Sequence, residues 1–294
     1  MKFLVIGASG YIGGHCYNYL KSNGYEVVGT QFKSNSAALV TFDLSRDRIR
    51  DVVDPSFFAG KEKTYSIVFA AFSQVERCFR EKEESYKVNV FGTIQLLHDV
   101  VALGSTPIYI STSAVYDGLA GNYNEESARH PETEYGRQKL AVENYIEKNF
   151  PQALIVRLDK ALDDLPAPRN VLYEWYNLIK QNQPILCLDQ TFSPTAVHDI
   201  AQAILVICTK NLHGTYQLAN HEVFSRSNLA AAFAQALGEK CQIQMKTQQE
   251  LNFKEPRPQK SYLNSTKFIK ATNYEFSTMS TVFSRFKDHL QYQK

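Results

Sequence analysis

The segment KFLVIGASGYIGG, residues 2–14, limits what this chain can become more than any other. An apolar strand-like run leads straight into Gly7, Gly10 and Gly13, spaced three apart, and a helical pattern follows at once. A tight turn, a backbone that a ligand must approach closely and a helix packed on its own strand each demand a residue without Cβ. The free N–H groups and partial positive charge of the helix start then face whatever lies above the loop. At a strand-to-helix junction this arrangement predicts a dinucleotide pyrophosphate site built from Gly7, Ser9, Gly10, Tyr11, Ile12 and Gly13.

The rest of the first half alternates in the same way. Short apolar or β-branched runs recur at 3–7, 26–30, 38–42, 66–71, 107–112 and 153–158, with helix-like segments at 11–23, 86–103 and 134–149. Strands alternating with helices predict an α/β fold, a doubly wound parallel sheet of the Rossmann type covered on both faces. Uniformly apolar strands suit that double burial. After Leu158 the rhythm breaks at DKALDDLPAPRN. We expect residues 1–158 to form the dinucleotide-binding domain, with a return to it at 192–212, and 159–294 to form mainly a smaller, irregular substrate-binding region.

Composition excludes several classes. The 294 residues are 44% hydrophobic, enough for a substantial core, and the formal net charge is only +2, so no nucleic acid or membrane partner is expected. Five scattered cysteines (Cys16, Cys78, Cys187, Cys208, Cys241) form no CxxC and predict reduced thiols in a cytoplasmic protein. No histidine pattern suggests a metal site, and no apolar run approaches the ~20 residues of a membrane span.

EYGRQKL, residues 134–140, sets Tyr135 and Lys139 four apart. In a chain with 17 tyrosines chance gives roughly one such pair, and there are three: Tyr17/Lys21, Tyr135/Lys139 and Tyr176/Lys180. Only Tyr135 and Lys139 continue a helical face through Val142 and Ile146 that should pack inward. A phenol and an ammonium there are hard to explain as a solvated surface.

Taken together, the glycine spacing, FDL at 42–44, VFAAFSQVERC at 68–78, VNVFGTIQLL at 88–97, ISTSAVYDG at 110–118 and YGRQK at 135–139 resemble the extended short-chain dehydrogenase/reductase family. FSPTAVHDIAQAI, GTYQLAN and EPRPQKSYL further resemble its nucleotide-sugar reductases of the rhamnose-reductase group. The resemblance implies a catalytic set of Thr112, Tyr135 and Lys139. It sets Asp43 and Leu44 against adenine, with Ala70, Ala71 and Phe72 on the nicotinamide side. Its chemistry is NAD(P)H-dependent reduction of a nucleotide-linked 4-keto sugar, with a homodimer as a further expectation. An epimerase or dehydratase on the same fold, or a non-catalytic NADP-binding subunit, would share these features. Ser113, Trp175 and Arg257 are the candidates for substrate contact: Trp175 either stacks on a base or is simply core, and Arg257 either holds a phosphate or is an ordinary surface arginine. Asn89 either ties backbone together or touches the cofactor.

The chain departs from that group at three places. VRLDKALDD replaces the usual aromatic and tyrosine-glycine after the sixth strand, Ser113 replaces the acid after the threonine, and no acid ends the second strand. That carboxylate normally accepts from the adenosine ribose and repels a 2′-phosphate. Here Thr30, Gln31, Lys33 and Ser34 offer donors instead, which predicts a preference for NADP(H) over NAD(H), with Gln31 and Lys33 at the phosphate.

Overall fold

In the computed structural model, which describes residues 1–168 and 170–292, seven strands form one parallel sheet. They are β1 (Lys2–Ile6), β2 (Glu26–Gln31), β3 (Val40–Thr41), β4 (Thr64–Val68), β5 (Thr106–Thr112), β6 (Leu154–Leu158) and β7 (Gly214–Leu218). From one edge to the other the order is β3-β2-β1-β4-β5-β6-β7. The order reverses direction between β2 and β4, beside β1, which is where a doubly wound sheet opens its ligand crevice.

Both faces are buried, as the unbroken apolar strands require. Phe3 and Val5 of β1 join Leu20, Ile200, Ile204 and Ile207 on one side. Leu4 and Ile6 point the other way, into a cluster with Leu96, Leu97, Val142 and Ile146. Alternate residues of one strand therefore feed two cores, each fully buried side chain contributing about 1.5–3 kcal/mol. Helices α1 (Tyr11–Ser22) and α4 (Val197–Thr209) cover the first face; α2 (Thr93–Ala102) and α3 (Glu134–Asn149) cover the second. The run AILVIC at 203–208 is thus a buried helix, and the chain re-enters the sheet through β7.

A third core lies beyond the sheet edge, where helices Val171–Lys180, Arg226–Leu237 and Met279–Tyr292 pack through Leu172, Phe233 and Phe286. Trp175 sits inside this core, 2% exposed, its ring 6.5 Å from that of Phe233. Of the two roles open to Trp175 it takes the core one and not base stacking: the face of its helix that carries Leu172, Trp175 and Ile179 is the apolar, inward one. No helix among the described residues is long and apolar enough to cross a membrane.

Candidate active site

The glycine loop is shaped by close approach. Gly7 has φ +90°, and a Cβ there would lie 2.8 Å from the Ala70 nitrogen; a Cβ on Gly13 would lie 2.3 Å from the Gly7 oxygen. Gly10 is different, because its Cβ would meet only the Gly7 oxygen at 3.1 Å and otherwise enters open space. Gly10 also caps α1 without a side chain, and the first turn holds no acid. Tyr11, Ile12 and Gly13 therefore present N–H groups with no side-chain acceptor over them, a cradle fitted to an anion. Tyr11 itself is half-buried, and burial first, then Asp163 and Asp164, hold its phenol well above the usual range. Ala70 stands against the loop at Gly7, and two residues on, Phe72 N–H donates to Asn89 Oδ1 at 2.7 Å while Asn89 Nδ2 donates back to the Phe72 carbonyl at 2.9 Å. Asn89 thus ties backbone rather than facing the crevice.

The adenosine end differs from expectation in one respect. Gln31 is 4% exposed, its amide donates to the Ser36 and Leu39 carbonyls and its oxygen accepts from Ser36 N–H. All its capacity closes the 32–39 loop, so Gln31 is not a phosphate donor. Thr30 is 2% exposed and lies against the glycine loop, its Oγ1 accepting from Gly7 N–H at 3.0 Å. Lys33 is exposed, with its ammonium 5.2 Å from the centre of the Phe32 ring, and Ser34 is exposed beside it. The Asp43 carboxylate accepts from Ser45 N–H and Oγ and from Arg46 Nε at 3.1 Å. Burial opposes ionisation there, but Ser45 and Arg46 outweigh it and hold Asp43 below the usual carboxylate range. Leu44 is buried beneath it.

Thr112 ends β5, and its Oγ1 accepts from Ala114 N–H at 3.2 Å, which leaves its own proton free to donate outward. Helix α3 begins at Glu134 because Thr133 Oγ1 caps Gly136 N–H at 3.1 Å. Gly136 then lets the helix close on the turn after β5: a Cβ there would stand 2.1 Å from the Ala114 carbonyl oxygen. This contact brings Tyr135, in the first helical turn, onto the same cleft as Thr112.

Lys139 is 3% exposed, one turn deeper. Its ammonium donates to the Ile110 carbonyl at 2.6 Å and stands 4.1 Å from the Tyr109 ring centre. Burial lowers its pKa to about 7, against a raising effect of Glu143. Tyr135 moves the other way: burial, then Cys78, hold its phenol well above 10.0. In this arrangement Tyr135 stays protonated, which suits a proton donor. In the other two pairs the lysine lies over the tyrosine ring, Lys21 over the buried Tyr17 at 5.3 Å and Lys180 over Tyr176 at 5.8 Å, and neither pair lines the cleft.

The cleft beside Thr112 and Tyr135 has a volume of about 470 Å³. Ser113 lines it, as the sequence indicated, and so does Arg257, whose guanidinium lies over the Phe253 ring and pairs with Glu76 at 3.2 Å. Three residues that sequence reasoning missed join them: Asp159, Lys160 and Arg226. Lys160 opens into the cleft, and burial, with Arg226 and Arg257, lowers its pKa against the pull of Asp159. Asp159 is pushed up to about 6 by burial. The DKALDD stretch carried the only signal, an acid and a cation immediately after a strand end. Among the described residues no group of three or more His, Cys, Asp or Glu is arranged to hold a metal ion, and the buried thiols form no disulfide.

Comparison with known proteins places this geometry. The model of the RmlD substrate binding domain matches residues 1–291. A dTDP-4-dehydrorhamnose reductase of Mycobacterium tuberculosis is 26% identical over 270 residues, covering 89% of this chain and 83% of its own. The methionine adenosyltransferase 2 subunit beta of Danio rerio is 27% identical over 246 residues, 80% of this chain and 73% of its own. The crystal structure of a hypothetical dTDP-4-dehydrorhamnose reductase from Sulfolobus tokodaii superposes with a TM-score of 0.83 at 26% identity, covering 95% of this chain and 97% of that one. With the family model spanning nearly its whole length, the chain belongs to the RmlD substrate-binding-domain family, within the extended short-chain dehydrogenase/reductases.

Proposed function

We propose that this protein is an NAD(P)H-dependent reductase of a nucleotide-linked 4-keto sugar, with residues 1–158 and the 192–212 return holding the cofactor and the rest mainly the substrate. The observation that carries the reading is the shared cleft: Thr112 and Tyr135 open onto the same space as Lys160, Arg226 and Arg257. Cations and a hydroxyl–phenol pair lining one cleft suit a sugar whose diphosphate is held while its carbonyl is reduced. Arg257 already pairs with Glu76. Lys160 and Arg226 take no carboxylate within ion-pair distance among the described residues, so they are the better anchors for a diphosphate.

The Gly7–Gly13 loop would hold the pyrophosphate of a dinucleotide, and Lys139 its nicotinamide ribose. When bound, the reduced nicotinamide supplies the hydride. Thr112 donates its free proton in a hydrogen bond to the carbonyl oxygen and holds it for attack. As the carbonyl carbon accepts the hydride pair, the C=O π electrons move to oxygen, and Tyr135 delivers the phenolic proton there. The phenolate left behind would be favoured by a cation on Lys139, one helical turn on, and is reprotonated from water.

For the cofactor, the donors left free at the end of β2 favour NADPH. With the Gln31 amide spent internally and Thr30 buried, Lys33 carries that preference with Ser34. A charge-assisted hydrogen bond is worth ~1.5–3 kcal/mol, trimmed by exposure, so we expect NADPH favoured about tenfold in kcat/KM. Lys33→Ala should bring the NADPH/NADH ratio close to one. A wild-type preference for NADH, or a ratio unmoved by the substitution, would remove Lys33 from this role.

A second reading, a non-catalytic NADP-binding subunit, is favoured by the likeness to methionine adenosyltransferase 2 subunit beta. The Thr112 and Tyr135 side chains, both facing the cleft, favour turnover over that reading.

A further inference from the structure

We infer that Asp159 fixes the polarity of the Ser113 hydroxyl, so that the cleft selects a substrate with a hydroxyl on the carbon next to the reacting carbonyl. The inference rests on the reductase reading above and names the feature of the sugar that the site reads.

The geometry begins with strand register. Thr112 of β5 pairs with Leu158 of β6, so the next residues, Ser113 and Asp159, leave the C-terminal edge of the sheet side by side. Ser113 Oγ donates to Asp159 Oδ1 at 2.9 Å. The other carboxylate oxygen, Oδ2, accepts from Ser193 N–H at 2.8 Å, and the Ser261 hydroxyl is a further donor to this carboxylate. Asp159 is therefore held by donors from three separate segments and is not free to swing into the cleft as a base.

A serine hydroxyl has one proton and two lone pairs. With its proton committed to a carboxylate, Ser113 can offer the cleft only an acceptor. No other donor among the described residues reaches its Oγ, so that acceptor capacity is unspent. Ser113 follows directly on Thr112, the residue we place against the carbonyl oxygen, and both line the cleft with Tyr135. An acceptor one residue from the carbonyl-binding hydroxyl suits a donor one carbon from the carbonyl. A substrate hydroxyl satisfies it; a methylene leaves a mostly buried oxygen unpaired, and sites of this kind reject the deoxy analogue strongly. Burial pushes the Asp159 carboxyl up to about 6, and above that pH it is a carboxylate that accepts only.

The test compares kcat/KM, with NADPH, for a dTDP-4-keto-6-deoxyhexose and for its 3-deoxy counterpart, in wild type, Ser113→Ala and Asp159→Asn. We expect wild type to prefer the 3-hydroxy sugar by about 100-fold, within the discrimination a hydrogen-bonding site can supply. Ser113→Ala should cut that preference below about fivefold by slowing the 3-hydroxy sugar alone. In Asp159→Asn the amide oxygen keeps Ser193 N–H and the amide nitrogen turns its donor on Ser113, so the serine proton now points into the cleft and the preference collapses again. NADPH affinity unchanged within twofold shows that each variant is folded; should Asp159→Asn fail this, Ser113→Ala decides alone. A merely structural role would slow both sugars equally, and an unchanged ratio overturns the inference while leaving the reductase reading intact. Failure of wild type to reduce either sugar overturns the reading and the inference together.

Discussion

Replacing Tyr135 with phenylalanine should lower turnover about 10³-fold and leave NADPH affinity within twofold of wild type. The phenol has no hydrogen-bond partner among the described residues, so its loss orphans no buried group and should cost little stability. What it removes is the proton donor, and a positioned general acid is worth about 10²–10⁴ in rate. Tyr17→Phe and Tyr176→Phe are internal controls. Tyr17 only approaches the Ala38 carbonyl, at 3.5 Å, and Tyr176 packs against Tyr173 and Phe286. Both should turn over like wild type. Turnover by Tyr135→Phe above a tenth of wild type would remove the phenol from the mechanism.

Lys139→Met should do two things at once: abolish most activity, by 10²-fold or more, and make the ligand-free protein more stable. Burial lowers the ammonium from 10.5 to about 7. Between those values the unfolded chain binds more protons than the folded one, so wild-type stability rises with pH across that window. The penalty for burying the charge is full below pH 7, still close to full at pH 7, and absent above about 10.5. Methionine keeps the volume and removes the charge, though it also forfeits the donor to the Ile110 carbonyl. After that loss we expect a net gain of about 2–3 kcal/mol at pH 7. Thermal unfolding followed from pH 6 to pH 10.5 checks the sign. The two proteins should differ most at the acid end and converge at the alkaline end; a variant less stable than wild type at pH 7 would refute the account of Lys139. A residue that weakens the fold while being needed at the site is retained for chemistry.

Local features of the chain were legible in its sequence. The glycine loop, the apolar strands and the limits of helix Glu134–Asn149 depend on neighbours within a few residues, so pattern alone located them. The fates of Trp175 and Gln31 depended on the fold. Trp175 is buried by Phe233, 58 positions away in sequence, and nothing in NVLYEWYNL announces that partner. Gln31 has the right chemistry for a phosphate, but the turn at Ser36 returns close enough to consume its amide. Asp159 was hidden for the same reason. In the sequence it stands in a loop-like run, and only the pairing of β5 with β6 shows that it meets Ser113. The π-helical turn Lys87–Gly92 also escaped notice; it lies inside the 86–103 segment read as one helix, and it carries Asn89 to the Phe72 backbone. Gly136 passed as an ordinary helix residue, although its missing Cβ sets the distance between Tyr135 and the turn after β5.

The most direct test of the central claim is the stoichiometry of NADPH oxidation when purified protein is mixed with a limiting amount of a dTDP-4-keto-6-deoxyhexose. The account predicts one NADPH oxidised for each sugar consumed, with the 4-keto group converted to a hydroxyl. Sugar converted with no net loss of NADPH would mark an epimerase, and cofactor bound with neither sugar nor NADPH consumed would mark a non-catalytic subunit; either result would contradict the reductase.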